Sequence, residues 1–273
     1  MATGAAAVSV GRVAQAADGQ IDNVSRSSAI SAYQSMLAPT LAVPVGWTGS
    51  LASCDAGTTS HAHRRATLAA VNNMRATADL GPVVLDAGFN ARAQAALIMT
   101  ANGFLDHEPP SRATCWTKDG FDGARDGNIS LGFAFGDDPA PLADATGARS
   151  VVSYVTDAGD GNDVVGHRRC ILYQQLTRIG TGDTDTSNTM YVIDKFRKPK
   201  GKTWVAWPTA EFFPRELEPA GRWSLSYPGA NFAAAKVAVT TPNGPIAAHK
   251  APTAVGFGDD AIAWDAAARV RGT

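Results

Sequence analysis

The segment Asn162–Gly182, NDVVGHRRCILYQQLTRIGTG, constrains this chain more than any other. It sets one histidine, His167, between Gly166 and the pair Arg168–Arg169. The apolar run Cys170-Ile-Leu-Tyr173 follows, then Ile179-Gly-Thr-Gly182. Asn162 is a natural helix cap, so a short helix is expected to about Leu172 and a strand at 177–184. A second histidine, His107, closes the stretch Gly103-Phe-Leu-Asp-His107 upstream.

The rest of the chain reads as helices, then strands. Helical spacing of Ile30, Tyr33 and Leu37 predicts a helix over 27–38, ended by Pro39. Pro44, Gly46 and Gly49 mark an extended connection to Cys54. Leu68, Val71, Met74 and Ala78 form the stripe of a helix over 60–79, stopped by Gly81-Pro82. Asp86 caps a helix over 86–102, with Ala93, Ala96, Leu97 and Ala101 inward and Gly103 at its end. A loop with Pro109, Pro110, Gly120 and Gly123 carries Cys115 and Trp116. A third helix is expected at 140–156 and a second strand at 189–196. After Lys202 the strand candidates are 204–207, 222–227, 235–240 and 261–264, with no helix signal between them. They predict a small all-β sandwich of immunoglobulin type, shorter than the roughly 100 residues of a complete one.

Composition bounds the possibilities. With 45% apolar and 18% charged residues, the chain can bury a core. A net charge of −1 argues against nucleic acid as a partner. No apolar run reaches the ~18 residues needed to cross a bilayer. Met1–Val10 lacks the basic start of a signal peptide. Neither a Gly-x-Ser-x-Gly elbow nor a phosphate-binding glycine loop is present.

Five landmarks fall in an order that resembles the CAP superfamily, the cysteine-rich secretory, antigen 5 and pathogenesis-related-1-like (SCP) domains. Asn72-Asn-Met-Arg75 through Gly81-Pro82 is similar to the family's first helix. Phe104-Leu-Asp-His107 resembles its first histidine motif, and Asp126-Gly-Asn-Ile129 its "GENL" motif. Tyr154-Val-Thr-Asp157 resembles "W--E", and Gly166-His167-Arg-Arg169 the second histidine motif. The resemblance implies an α+β fold, a CAP-type α/β/α sandwich over 60–197. A mobile segment (1–26), a helix and extended lead-in (27–59) and the β-module (203–273) complete the expected organisation. Arg197–Lys202 is the expected link.

The resemblance further implies a cleft faced by two histidines and two carboxylates. Carried onto this sequence, the histidines are His107 and His167, and the "W--E" carboxylate is Asp157. The "GENL" glutamate falls on Gly127, which has no side chain. Asp126 and Asn128 flank that position and complete the expected cleft with His107, Asp157 and His167. Two imidazoles can bind zinc or another divalent cation, with Asp157 as the candidate base or orienting group. They can equally order the loops of a polar cleft through hydrogen bonds.

Other candidates have plainer readings. His61-Ala-His63 has metal-like spacing but reads as a solvated turn. Cys170, three residues from His167, reads as core rather than nucleophile. Arg168 and Arg169 read as surface salt-bridge partners. Trp116, Phe121, Phe133 and Phe135 flank the expected cleft residues in sequence, with core packing as the default and an apolar groove for a lipid as the functional alternative. The three cysteines admit a Cys54–Cys115 disulfide with Cys170 free, or three reduced thiols.

Three functions are compatible with this pattern. The first is a secreted, non-enzymatic protein binding a lipid, glycan or protein ligand. The second is a zinc-assisted hydrolase. The third is a cell-envelope module docked through its β-domain.

Overall fold

A computed structural model of the chain describes residues 21–133, 144–159, 161–193 and 203–266. The expectations for residues 1–20, a helix start at 140, the strand end at 194–196, Phe135 and the link at 197–202 lie outside the described residues.

Helix α1 (Arg26–Ala32) starts where the Ser25 hydroxyl accepts from the Ser28 amide. It runs on through a π turn (Tyr33–Leu37) and a 3₁₀ turn (Ala38–Ala42). Pro39 does not end this path. It sits at the start of the 3₁₀ turn, where no amide hydrogen is needed. Leu37 enters the core, whereas Ile30, expected inward beside it, is 40% exposed. Asn23 ties the entry to the body through Nδ2 to the Thr77 carbonyl.

Helix α2 (His61–Thr77) is capped by the Ser60 hydroxyl and buries Ala70, Val71 and Met74. Its Arg75 is buried too. The guanidinium donates to the carbonyls of Gly81, Ile171, Tyr173 and Leu176, so the motif arginine ties the turn at Gly81 to the segment 171–176. Burial lowers its pKa to about 10.

Asp86 caps α3 (Ala87–Ala93) as expected, accepting from the Phe89 amide. The single helix expected here is two. A turn at Gln94–Ala95 separates α3 from α4 (Ala96–Asn102), and the Gln94 amide reaches the carbonyls of Ala56 and Gly57. Gly103 closes α4 in a left-handed conformation, φ 67°. Helix α5 (Lys118–Arg125) lies in the stretch read as loop, with Thr117 as its cap. Its Gly120 and Gly123 hid it from propensity reasoning.

Strands β1 (Val84–Leu85), β2 (Gly127–Leu131), β3 (Arg178–Asp183) and β4 (Ser187–Tyr191) form one sheet in the order β1-β3-β4-β2. The β1–β3 pair is parallel and the others antiparallel. Helix α6 (Gly147–Thr156) packs beside α2 on one face of the sheet, while α3, α4 and α5 cover the other. Gly180 and Gly182 let α3 lie against β3, because a methyl at either would strike the backbone of Phe89 or Ala93. Helix α7 (Gly166–Ile171) begins after Val165, not at Asn162. The Asn162 carbonyl accepts from the Val165 amide in a preceding turn, and its side chain donates to the Ala158 carbonyl.

Beyond residue 203 lie β5 (Val205–Trp207), β6 (Arg222–Ser226), β7 (Val239–Thr241), β8 (Gly244–Ile246), β9 (Ala248–Lys250) and β10 (Ala261–Ala266). They make a four-stranded antiparallel sheet, β5-β6-β10-β9, and a separate β7–β8 ribbon. Val205, Trp207 and Leu217 join the core of α2, α6 and β3, so this region shares apolar packing with the first. Together these elements are an α+β arrangement with helices on both faces of the first sheet and additional sheets after it.

Candidate functional site

Asp157 and His167 are brought together although ten residues separate them. Asp157 caps the C-terminus of α6 and His167 lies in the first turn of α7. The His167 Nδ1 lies 2.8 Å from the Asp157 Oδ1. The other carboxylate oxygen accepts from the Arg168 amide at 3.1 Å. Asp157 is fully buried and His167 about one quarter exposed. A buried carboxylate on Nδ1 fixes the ring and leaves Nε2 free to face a ligand. Tyr154, one turn before Asp157, stacks on the imidazole with centroids 5.5 Å apart. Its hydroxyl bonds Ser130 and Asn188, and burial pushes its pKa up.

Asn128 holds the backbone of the same residue from the sheet, donating to the His167 carbonyl at 3.1 Å. Its neighbour Gly127 faces the other way, as alternation along a strand requires. A methyl on Gly127 would sit 2.6 Å from the Gly123 carbonyl oxygen and 3.0 Å from that of Met190. No side chain fits there without a backbone shift. Asp126 is turned to Arg125, at 2.7 and 2.8 Å, and lies 3.4 Å from the Tyr191 hydroxyl.

His107 is exposed, and its Nδ1 lies 2.7 Å from the Ala124 carbonyl. Both histidines are thus anchored to the short stretch Ala124–Asn128. Among the described residues, no three His, Cys, Asp or Glu side chains converge as a metal cage requires. A catalytic zinc takes three protein ligands, so this donor set does not fit one.

The aromatic candidates divide. Trp116 is half-buried against Ala95, Ile98 and Met99 and donates to the Pro109 carbonyl. Phe121 lies beside it and carries Lys118 and Arg125 over its ring. Phe133 is 52% exposed.

Three readings of the sequence change. His63 is not in a solvated turn. It is 3% exposed, with Nε2 3.3 Å from the buried Asp183 carboxylate and Nδ1 3.3 Å from the Val43 carbonyl. His61, its neighbour in the motif, is exposed. Arg168 and Arg169 are not surface salt-bridge partners but are buried. Arg168 donates to Val155, Thr156 and Ser224, and Arg169 to the Asp259 carbonyl. The GHRR tetrapeptide therefore presents its histidine to the site and uses both arginines to hold the C-terminal region. Only contacts distant in sequence reveal this.

Cys170 is a buried thiol, and burial pushes its pKa up to about 12, so it is a core residue and no thiolate. Cys54 and Cys115 form a disulfide.

The chain belongs to the CAP (cysteine-rich secretory protein) family, whose profile matches residues 68–205. Among solved structures, it is similar to an extracellular protein containing a SCP domain from Bacillus anthracis str. Ames. Identity is 18% and the TM-score 0.33, and the alignment covers 49% of this chain and 40% of that one. A search of curated proteins gave no match.

Proposed function

We propose that this CAP protein is a non-enzymatic binding protein of the extracellular space, with the cleft around His107 and His167 as its ligand site. The observation that carries the reading is the Asp157–His167 pair. It fixes one imidazole with Nε2 free, yet no second carboxylate completes the family's tetrad, because Gly127 has no room for one. An oriented Nε2 is a hydrogen-bond acceptor for a ligand hydroxyl or amide. The Cys54–Cys115 disulfide suits an oxidising compartment. The zinc-hydrolase reading draws on the same pair, since a carboxylate on Nδ1 is how metal-bound histidines are commonly held. The β-sheets after residue 203, read as an immunoglobulin-like module, serve in this proposal to brace the cleft.

Histidine-ring NMR tests it. Titration with a fluorescent fatty acid, soluble oligosaccharides or peptides is expected to shift the His167 resonances saturably for one class. His167→Ala should abolish that binding. A one-to-one zinc isotherm of sub-micromolar affinity, lost in His107→Ala, would overturn it in favour of the metal reading.

A further inference from the structure

Helix α6 ends at the site without a glycine to close it. Its cap, Asp157, is itself left-handed at φ 51° and ψ 43°. That conformation costs a residue with a side chain about 1–3 kcal/mol and persists only where surroundings enforce it. At the far end of the loop Val165, a β-branched residue, is also left-handed at φ 48°. The segment joining Asp157 to His167 is thus strained at both ends.

Arginines hold it. The last carbonyls of a helix have no intrahelical donor. Here Val155 and Thr156 accept from Arg168 at 2.6 and 2.8 Å. Asp157 and Gly159 accept from Nη1 of Arg222 at 3.3 and 2.8 Å. Cations at a helix C-terminus are favourable in their own right. Arg222 comes from β6 of the C-terminal sheet, where it pairs with Asp265 on β10 and meets Asp163 of the site loop.

We infer that Arg222 is a positioning residue for the Asp157–His167 pair, so that the C-terminal sheet sets the geometry of the CAP cleft. It touches neither the ring nor the carboxylate. It fixes the backbone from which the carboxylate reaches Nδ1. This does not depend on what the cleft binds.

The test is the tautomer of His167, read from ring ¹⁵N shifts at pH 8 in the full chain. The wild type is expected to show a single Nδ1–H form. Arg222→Met should give averaged tautomers for His167 while His63 keeps its wild-type signature. A folded Arg222→Met protein with reduced Tm but an unchanged His167 signature would overturn the inference. Should Arg222→Met not fold, Arg222→Lys keeps the charge but loses the fork. It must then show mixed tautomers, and a wild-type signature there would equally overturn it.

Discussion

His63 and Asp183 form an ion pair inside the protein, Nε2 to Oδ2 at 3.3 Å, between the start of α2 and the end of β3. Asp183 also accepts from the Gly147 amide at 2.7 Å and the Asn188 amide at 2.8 Å. Its charge is therefore well supported, and it anchors the first turn of α6.

This pair gives stability a sign with pH. Burial lowers the His63 pKa, but contact with the Asp183 carboxylate and the Val43 carbonyl outweighs it, so the net shift is upward from 6.5. A raised folded value means the contribution is fully present below pH 6.5 and is lost as pH rises through the folded value. Urea midpoints of wild type and His63→Gln should differ most near pH 6 and converge toward pH 9. His63→Ala should cost about 3 kcal/mol at pH 6, because the buried Asp183 carboxylate loses its cationic partner and keeps only its amide donors. A wild-type advantage that grows with pH would refute this.

The Asp157 carboxylate should matter for stability as well as for the proposed ligand site. Asp157→Ala leaves the Arg168 amide without its acceptor and keeps a left-handed β-carbon, so a loss of about 1–3 kcal/mol is expected. Asp157→Gly removes the conformational strain and should recover part of it. Both should free the His167 ring. Chemical denaturation compares the two, and a glycine variant less stable than the alanine variant would show that the strain is not there.

The Cys54–Cys115 disulfide closes a loop of 61 residues. In the chain-entropy account such a closure is worth about 4 kcal/mol. Cys54→Ala/Cys115→Ala should lose a comparable amount, measured by denaturant unfolding under non-reducing conditions. Reductant should lower the wild type toward the double variant and leave the variant unmoved. Cys170, buried and protonated, should not react with thiol reagents until the protein unfolds.

Much of this was legible from the sequence because it is local. The Asp86 cap, the Gly103 stop, the stripe of α2 and the segment carrying His167 each depend on a few neighbouring residues. Helix α5 was not legible, since two glycines serving close packing look like loop signals. The turn that splits α3 from α4 was hidden by continuous helical residues. His63, Arg168, Arg169 and Arg222 were misread or missed for one reason. Their roles come from partners 43 to 120 residues away in sequence, as with Arg222 and Asp265, Arg168 and Ser224, or His63 and Asp183. A histidine in a polar N-terminal turn looks solvated until the far end of β3 is known to lie beneath it.

Gly127 sharpens the last expectation. If the missing family carboxylate were a simple loss, Gly127→Glu would restore a tetrad and a zinc response. The structure predicts the opposite. Any β-carbon there meets the Gly123 and Met190 carbonyls, and overpacking of this kind costs about 1–3 kcal/mol. Gly127→Ala should already show that loss, by urea unfolding, although it adds no charge. Gly127→Glu should lose at least as much and gain no zinc-induced rise in Tm. The backbone of α5 and β4 closes over the position, and regaining the carboxylate requires moving the strand. A Gly127→Glu protein as stable as wild type, with Tm raised by zinc, would show that the closure is soft and the metal centre recoverable.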